Sequence, residues 1–147
     1  MDLVCRRALS REDIAVAMDI RETVFIDEQN VPSELERDGR DDRCLHYIAL
    51  FDGVVVGTAR VMPLSDLFKF QRVAVLPEAR GVGIGATLMQ FMMEDLAQQP
   101  DANAKYFSLS SQVSAISFYE RLGFAMCSDE YLDAGIQHRD MKRAIKI

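Results

Sequence analysis

Arg80-Gly81-Val82-Gly83-Ile84-Gly85 is the stretch best suited by composition to bind a charged ligand. Glycine lets a ligand approach the backbone closely, and successive N–H groups at a helix start, backed by the helix dipole, can face an anion. The same residues also suit a tight turn on backbone grounds alone. Their spacing differs from the dinucleotide fingerprint G-x-G-x-x-G, and the chain contains no G-x-x-x-x-G-K-[ST], which excludes the ATP phosphate loop. Proton-transfer candidates are fewer. Glu28 recurs with Arg21 on the apolar face of the expected first helix; a carboxylate partly removed from water has a raised pKa suited to a general base. A structural ion pair between Arg21 and Glu28 is the alternative. His46 and His138 are the only histidines, and each falls in a strand candidate. Between Asp27 and Asp42 seven acids face two bases, which suits either attraction of a cationic amine or a solvated acidic loop.

Elements must hold these residues in place. Leu3 to Ala8 is a short strand. Ser10 and Asp13 have the capping-box spacing, so a helix is expected from there to about Glu28, with Ile14, Ala17, Met18 and Phe25 on its apolar face. Pro32, Gly39 and many charges make Gln29 to Arg43 a loop with room for one helical turn. Leu45 to Phe51 and Val54 to Met62 flank Asp52-Gly53, a pair that favours a tight hairpin because both central positions need positive φ. Leu67 to Leu76 is a further strand. The Gly-rich turn then leads into a helix with Leu88, Met89, Met92 and Leu96 on one face. Lys105 to Ser110 is a strand, Ser114 to Leu122 a helix that Gly123 can end, and Phe124 to Tyr131 and His138 to Ile145 are late strands. This order predicts an α/β (α+β) fold with a mixed sheet and helices on its faces.

The chain has 147 residues, 49% of them hydrophobic, which fits one domain spanning 1–147. A net charge of −6 argues against a nucleic-acid binder, and no apolar run approaches the ~20 residues of a membrane span. Cys5, Cys44 and Cys127 are odd in number and widely spaced, so neither a disulfide framework nor a metal site is expected. The expected location is cytoplasmic.

Arg72-Val73-Ala74-Val75-Leu76-Pro77, the Arg80 to Gly85 turn and Ala86-Thr87-Leu88-Met89 together resemble the acetyl-CoA segment of GNAT acyltransferases, with its R/Q-x-x-G-x-G/A signature. Ser117-Phe118-Tyr119-Glu120-Arg121-Leu122-Gly123-Phe124 resembles the family's second hallmark, ending FYxxxGF. Val24-Phe25-Ile26, Glu28-Gln29, Val31-Pro32, Glu36, Asp38 and Asp42 are similar to a compact bacterial ElaA-like branch. The resemblance implies a largely antiparallel sheet of about six to seven strands.

It also implies acetyl-CoA as cosubstrate and an amine of a small molecule or peptide as acceptor. The coenzyme A pyrophosphate would meet the backbone N–H groups of Gly81, Val82, Gly83, Ile84, Gly85 and Ala86, with Arg80 adding charge. Val73, Ala74 and Val75 would pair through their main chain with the pantetheine arm, in the manner of an added strand. One of their N–H groups would polarise the thioester carbonyl. Tyr119, beside Phe118, would protonate the departing thiolate; an ordinary core tyrosine is the alternative. Gln112 stands where the family often has asparagine, and its amide would contact pantetheine or else face solvent. Direct transfer is expected, because no cysteine falls in either hallmark. A non-catalytic coenzyme A sensor is a second reading, and the late strands offer an edge for a homodimer.

Overall fold

The computed structural model describes residues 2–99 and 103–145. Strand β1 (Leu3–Arg7) leads into helix α1 (Arg11–Arg21), where Ser10 caps the start by accepting the Asp13 N–H at 3.0 Å. The helix continues to Glu28, as its sequence predicts, but Glu22–Glu28 widens into a π-helical segment in which the Gln29 N–H reaches back to the Val24 carbonyl. The predicted loop contains one turn of helix, α2 (Ser33–Glu36).

Strands β2 (Leu45–Phe51) and β3 (Val54–Pro63) form the expected hairpin. Asp52 and Gly53 both take positive φ, +49° and +83°, as a two-residue turn of this hand requires. Strand β4 (Leu67–Val75), helix α3 (Ile84–Ala97), strand β5 (Tyr106–Gln112) and helix α4 (Ile116–Arg121) follow. The predicted strand from Phe124 to Tyr131 is corrected: only β6 (Ala125–Met126) and β7 (Tyr131–Asp133) pair, and polar Ser128, Asp129 and Glu130 between them break the alternation a strand needs. Strand β8 (Ile136–Ala144) closes the chain's pairing, after a turn at Ala134-Gly135 with φ of +51° and +77°.

The eight-stranded mixed sheet runs β1-β2-β3-β4-β5-β8-β6, with β7 also on β8; β4 and β5 are parallel and the other pairs antiparallel. The predicted apolar face of α3 is buried against the sheet, with Leu88, Met89, Met92 and Leu96 all nearly inaccessible. Among the described residues, no helix is long and apolar enough to cross a membrane.

Two features of the sheet position the site. The parallel β4–β5 pairing stops at Phe70 and Leu109, although β4 runs on to Val75 and β5 to Gln112. Beside that point β4 bulges: Thr58 faces Ala74 and Arg60 faces Gln71, so Arg72 and Val73 together oppose the single residue Ala59, and Arg72 takes φ of +55°. A bulge adds local twist, and here it lies where the two strands cease to pair and a cleft opens.

Candidate active site

Gly81 and Gly83 adopt φ of +86° and +85°, a region that costs an L-residue roughly 1–2 kcal/mol. The turn they make delivers the chain to α3 with Gly83 as N-cap and no side chain on the helix start. The first intrahelical bond runs from the Thr87 N–H to the Gly83 carbonyl, 3.0 Å. The N–H groups of the preceding residues, Ile84 to Ala86, are the unsatisfied donors of a helix N-terminus and lie at the positive end of its dipole. Gly85 lies against Phe118 of α4, where a Cβ would sit in ordinary contact with the ring, 3.4 Å from Phe118 Cζ.

A cavity of about 870 Å³ runs from this turn along the unpaired end of β4 to the far side of β5. Its wall includes Val73, Ala74, Val75, Arg80, Gly81, Gly83, Gly85, Ala86, Gln112, Phe118 and Tyr119, so most predicted cofactor positions converge on one space. Val82 projects to solvent and Ile84 is packed in the core, so neither side chain reaches the cavity and only their main chain is available to it.

Tyr119 stands on α4 with its ring edge-on to Phe118 (4.9 Å between centroids) and to Phe124 (6.1 Å). Burial pushes its phenol up to about 12. At neutral pH it is therefore a proton donor and not an acceptor. Gln112 ends β5 and, as expected of a helix-start residue, caps the short helical turn Val113–Ala115; its side chain does not face solvent freely, because Nε2 donates to Gln29 Oε1 at 2.8 Å.

The expectations for Glu28 are corrected. Its carboxylate lies beside Arg80, with both guanidinium Nη atoms donating at 2.7 Å, and it pairs with Arg80 and not with Arg21. The Arg80 hydrogen bonds lower its pKa where a raised one was expected. A carboxylate engaged in this way is a poor proton acceptor. Arg80 is equally committed, since its Nε also donates to the Val75 carbonyl at 2.9 Å and thereby braces the Gly-rich turn against β4.

The acidic segment is solvated only in part: Asp27, Glu28, Glu34 and Asp42 are exposed, whereas Glu36, Asp38 and Asp41 are drawn inward. Three arginines from the core hold its central acids. Arg21 donates to Glu36 and Asp41, Arg60 donates to Asp38 and Asp41, and Arg72 Nε lies 2.8 Å from Glu36. Arg21, Glu36 and Arg60 are almost wholly buried. The cluster packs the segment onto the bulge of β4, where Arg72 also donates to the Leu35 and Glu36 carbonyls.

His46 lies away from the cavity, its Nε2 bonded to the Asp41 carbonyl at 2.9 Å, whereas His138 lines the cavity. Residues the sequence did not single out also face this space: Ser110, Ser111 and Asp133. They carry no local signature, because they come from strand ends and loops brought together by the sheet order.

The family model for the acetyltransferase (GNAT) domain matches residues 5–145. YjcF of Bacillus subtilis (strain 168), described as an N-acetyltransferase, is 36% identical over 138 residues, covering 92% of this chain and 96% of that protein. The crystal structure of Escherichia coli ElaA superposes with a TM-score of 0.81 at 26% identity, covering 97% of this chain and 98% of that one. A GNAT family acetyltransferase from Elizabethkingia anophelis with acetyl-CoA bound shares the fold at a TM-score of 0.74 and 11% identity, over 97% of each chain. With its two hallmark segments lining one cavity and the family model spanning nearly its whole length, this chain belongs to the GNAT acetyltransferase family and has ElaA among its relatives.

Proposed function

We propose that the chain transfers an acetyl group from acetyl-CoA directly to a primary amine of a small molecule or peptide. The observation that carries this reading is the cavity itself: one continuous space joins the uncapped N-terminus of α3, the unpaired edge of β4 and the buried phenol of Tyr119. The acetyl-CoA named with the Elizabethkingia structure supports the choice of cosubstrate on this shared fold.

These residues fit such a cosubstrate. The amides at the α3 start would hold the pyrophosphate, and the main chain of Val73, Ala74 and Val75 would hold the pantetheine arm as an added strand. Bound acetyl-CoA supplies the activated thioester. A main-chain N–H of β4 would donate to the carbonyl oxygen as charge develops there, and Tyr119 would donate its proton to the leaving sulfur. Gln112 would hold the arm from the β5 side, its bond to Gln29 closing over the cleft. Three free cysteines, Cys5, Cys44 and Cys127, suit a reducing, cytoplasmic compartment.

Calorimetric titration with acetyl-CoA, with NAD and ATP as controls, tests the reading. Saturable binding of acetyl-CoA alone is expected, and its absence in folded protein would overturn the cofactor assignment. Gly83→Ala should cost about 1 kcal/mol of stability, since it forces a Cβ into positive φ, and should weaken acetyl-CoA binding in the same titration by misplacing the helix amides. Glu28→Gln should leave turnover within about threefold, measured by release of free thiol, whereas loss of a general base would cost about 100-fold or more.

A further inference from the structure

The reaction needs an acceptor for the proton that the attacking amine loses, and the cavity offers few. Glu36 is committed to the arginine cluster, Asp133 is exposed at the rim, and the Tyr119 phenol holds its own proton. Lys69, Arg72, Arg80 and Arg121 are cationic. His138 is different in kind.

His138 stands on β8 opposite Gln112 of β5 on one side and Tyr131 of β7 on the other. It is 9% exposed and is one of the residues that line the cavity. Its Nδ1 lies 2.7 Å from the Ile136 carbonyl oxygen. A carbonyl only accepts, so Nδ1 carries the hydrogen and donates it. In a neutral imidazole the lone pair then resides on Nε2. Tyr131 holds the ring in place by stacking on it, with 6.1 Å between centroids and 23° between planes. Tyr131 is itself held from two sides, because its hydroxyl bonds both Ser110 Oγ on β5 and Asp140 Oδ1 on β8. Asp140 is the charged neighbour on this face of β8, and it accepts from Tyr131; β5 presents only Ser110 and Gln112, both uncharged, while Asp133 lies two residues beyond Tyr131 on β7.

We infer that His138 Nε2 is the general base of this site, with Tyr131 as its positioning residue; the inference rests on the amine-acetylation reading given above. The amine nitrogen forms a bond to the thioester carbon while the carbon–sulfur bond breaks. The nitrogen's proton passes to His138 Nε2, and Tyr119 gives its proton to the sulfur. The resulting imidazolium and phenolate return to neutrality by proton exchange through solvent, so amine and acetyl-CoA yield amide and free coenzyme A with no net change in the enzyme.

Two measurements test it. The first needs no acceptor: nitrogen NMR of the histidine rings at about pH 8, where an ordinary imidazole is neutral, should find His138 as the Nδ1–H form. The Nε2–H form would overturn the inference whatever the acceptor proves to be. The second compares His138→Gln and His138→Ala with the parent chain. Acetyl-CoA affinity should be unchanged, kcat should fall about 100- to 10,000-fold, and added imidazole should restore part of the loss in His138→Ala. Tyr131→Phe should lower kcat by a smaller factor without raising KM. Turnover in His138→Gln within threefold of the parent, or parallel loss of acetyl-CoA affinity and turnover, would assign His138 to the wall alone. Acetyl-CoA binding by the parent chain judges the broader reading separately, so the two cannot fail indistinguishably.

Discussion

Tyr119→Phe should lose about 100- to 10,000-fold in kcat while binding acetyl-CoA as tightly as the parent chain. The substitution keeps the ring, and with it the edge contacts to Phe118 and Phe124 that hold α4 over the cleft. It removes only the hydroxyl, whose raised pKa comes from burial and guarantees that it carries a proton at neutral pH. A leaving thiolate of ordinary coenzyme-like pKa, near 8.5, is the species that such a donor serves. Calorimetry and a thiol-release assay on the same preparation separate the outcomes. Lost turnover with retained affinity assigns the proton to Tyr119; unchanged turnover removes Tyr119 from the chemistry and leaves it as a core aromatic. Unchanged acetyl-CoA binding with no turnover even in the parent chain would favour the sensor reading.

Glu36→Gln should destabilise the fold by about 3 kcal/mol and lower the melting temperature by roughly 10 °C. Glu36 is 1% exposed and sits between Arg21, whose Nε and Nη2 donate at 3.0 and 3.1 Å, and Arg72, whose Nε lies 2.8 Å away. A neutral amide keeps the volume but removes the buried charge that Arg21 and Arg72 share, leaving Arg21 with Asp41 alone, and it points N–H donors at N–H donors. Thermal unfolding followed by circular dichroism reads the effect; a shift of less than about 2 °C would mean that the cluster is far better hydrated than its burial indicates.

The same cluster sets an acid limit. Arg60 hydrogen bonds hold the Asp38 carboxyl well below the usual carboxylate range. Burial alone would raise Asp41, but hydrogen bonds from Arg21 and Arg60 outweigh it and the net shift is downward. Both acids bind protons less readily in the folded chain than in the unfolded one. Their stabilisation is therefore complete above the unfolded carboxylate pKa of about 3.9 and is lost as pH falls below it toward the depressed folded values. Denaturant melts at a series of pH values should show stability holding down to about pH 5 and falling below about pH 4, and Asp38→Asn should make that fall shallower.

Local patterns were legible wherever neighbours in sequence are neighbours in space. The apolar face of α3, the Ser10 cap, the Asp52-Gly53 turn and the tight glycine turn before α3 all follow from spacing of four residues or fewer, and each is found as read. The two hallmark segments carried the fold for the same reason, since each keeps its identity in a short run of residues.

Charge partners were not legible. Glu28 meets Arg80 across 52 positions of sequence, and Gln112 meets Gln29 across 83. The widening of α1 into a π-helical segment is a local shift that no residue spacing announced, and it sets the direction in which Glu28 and Gln29 leave the helix. Glu36, Asp38 and Asp41 read as part of a solvated loop because the arginines that hold them come from α1, β3 and β4. His138 comes to the cavity only through the sheet order, which sets β7 and β5 on either side of β8. The sequence by itself determined the helix faces, the turns and the glycines that lead into α3, because backbone geometry and periodicity act over a few residues. Tertiary structure decided which carboxylates are spent in ion pairs and which imidazole faces the cleft, because those depend on distances that only the assembled sheet defines.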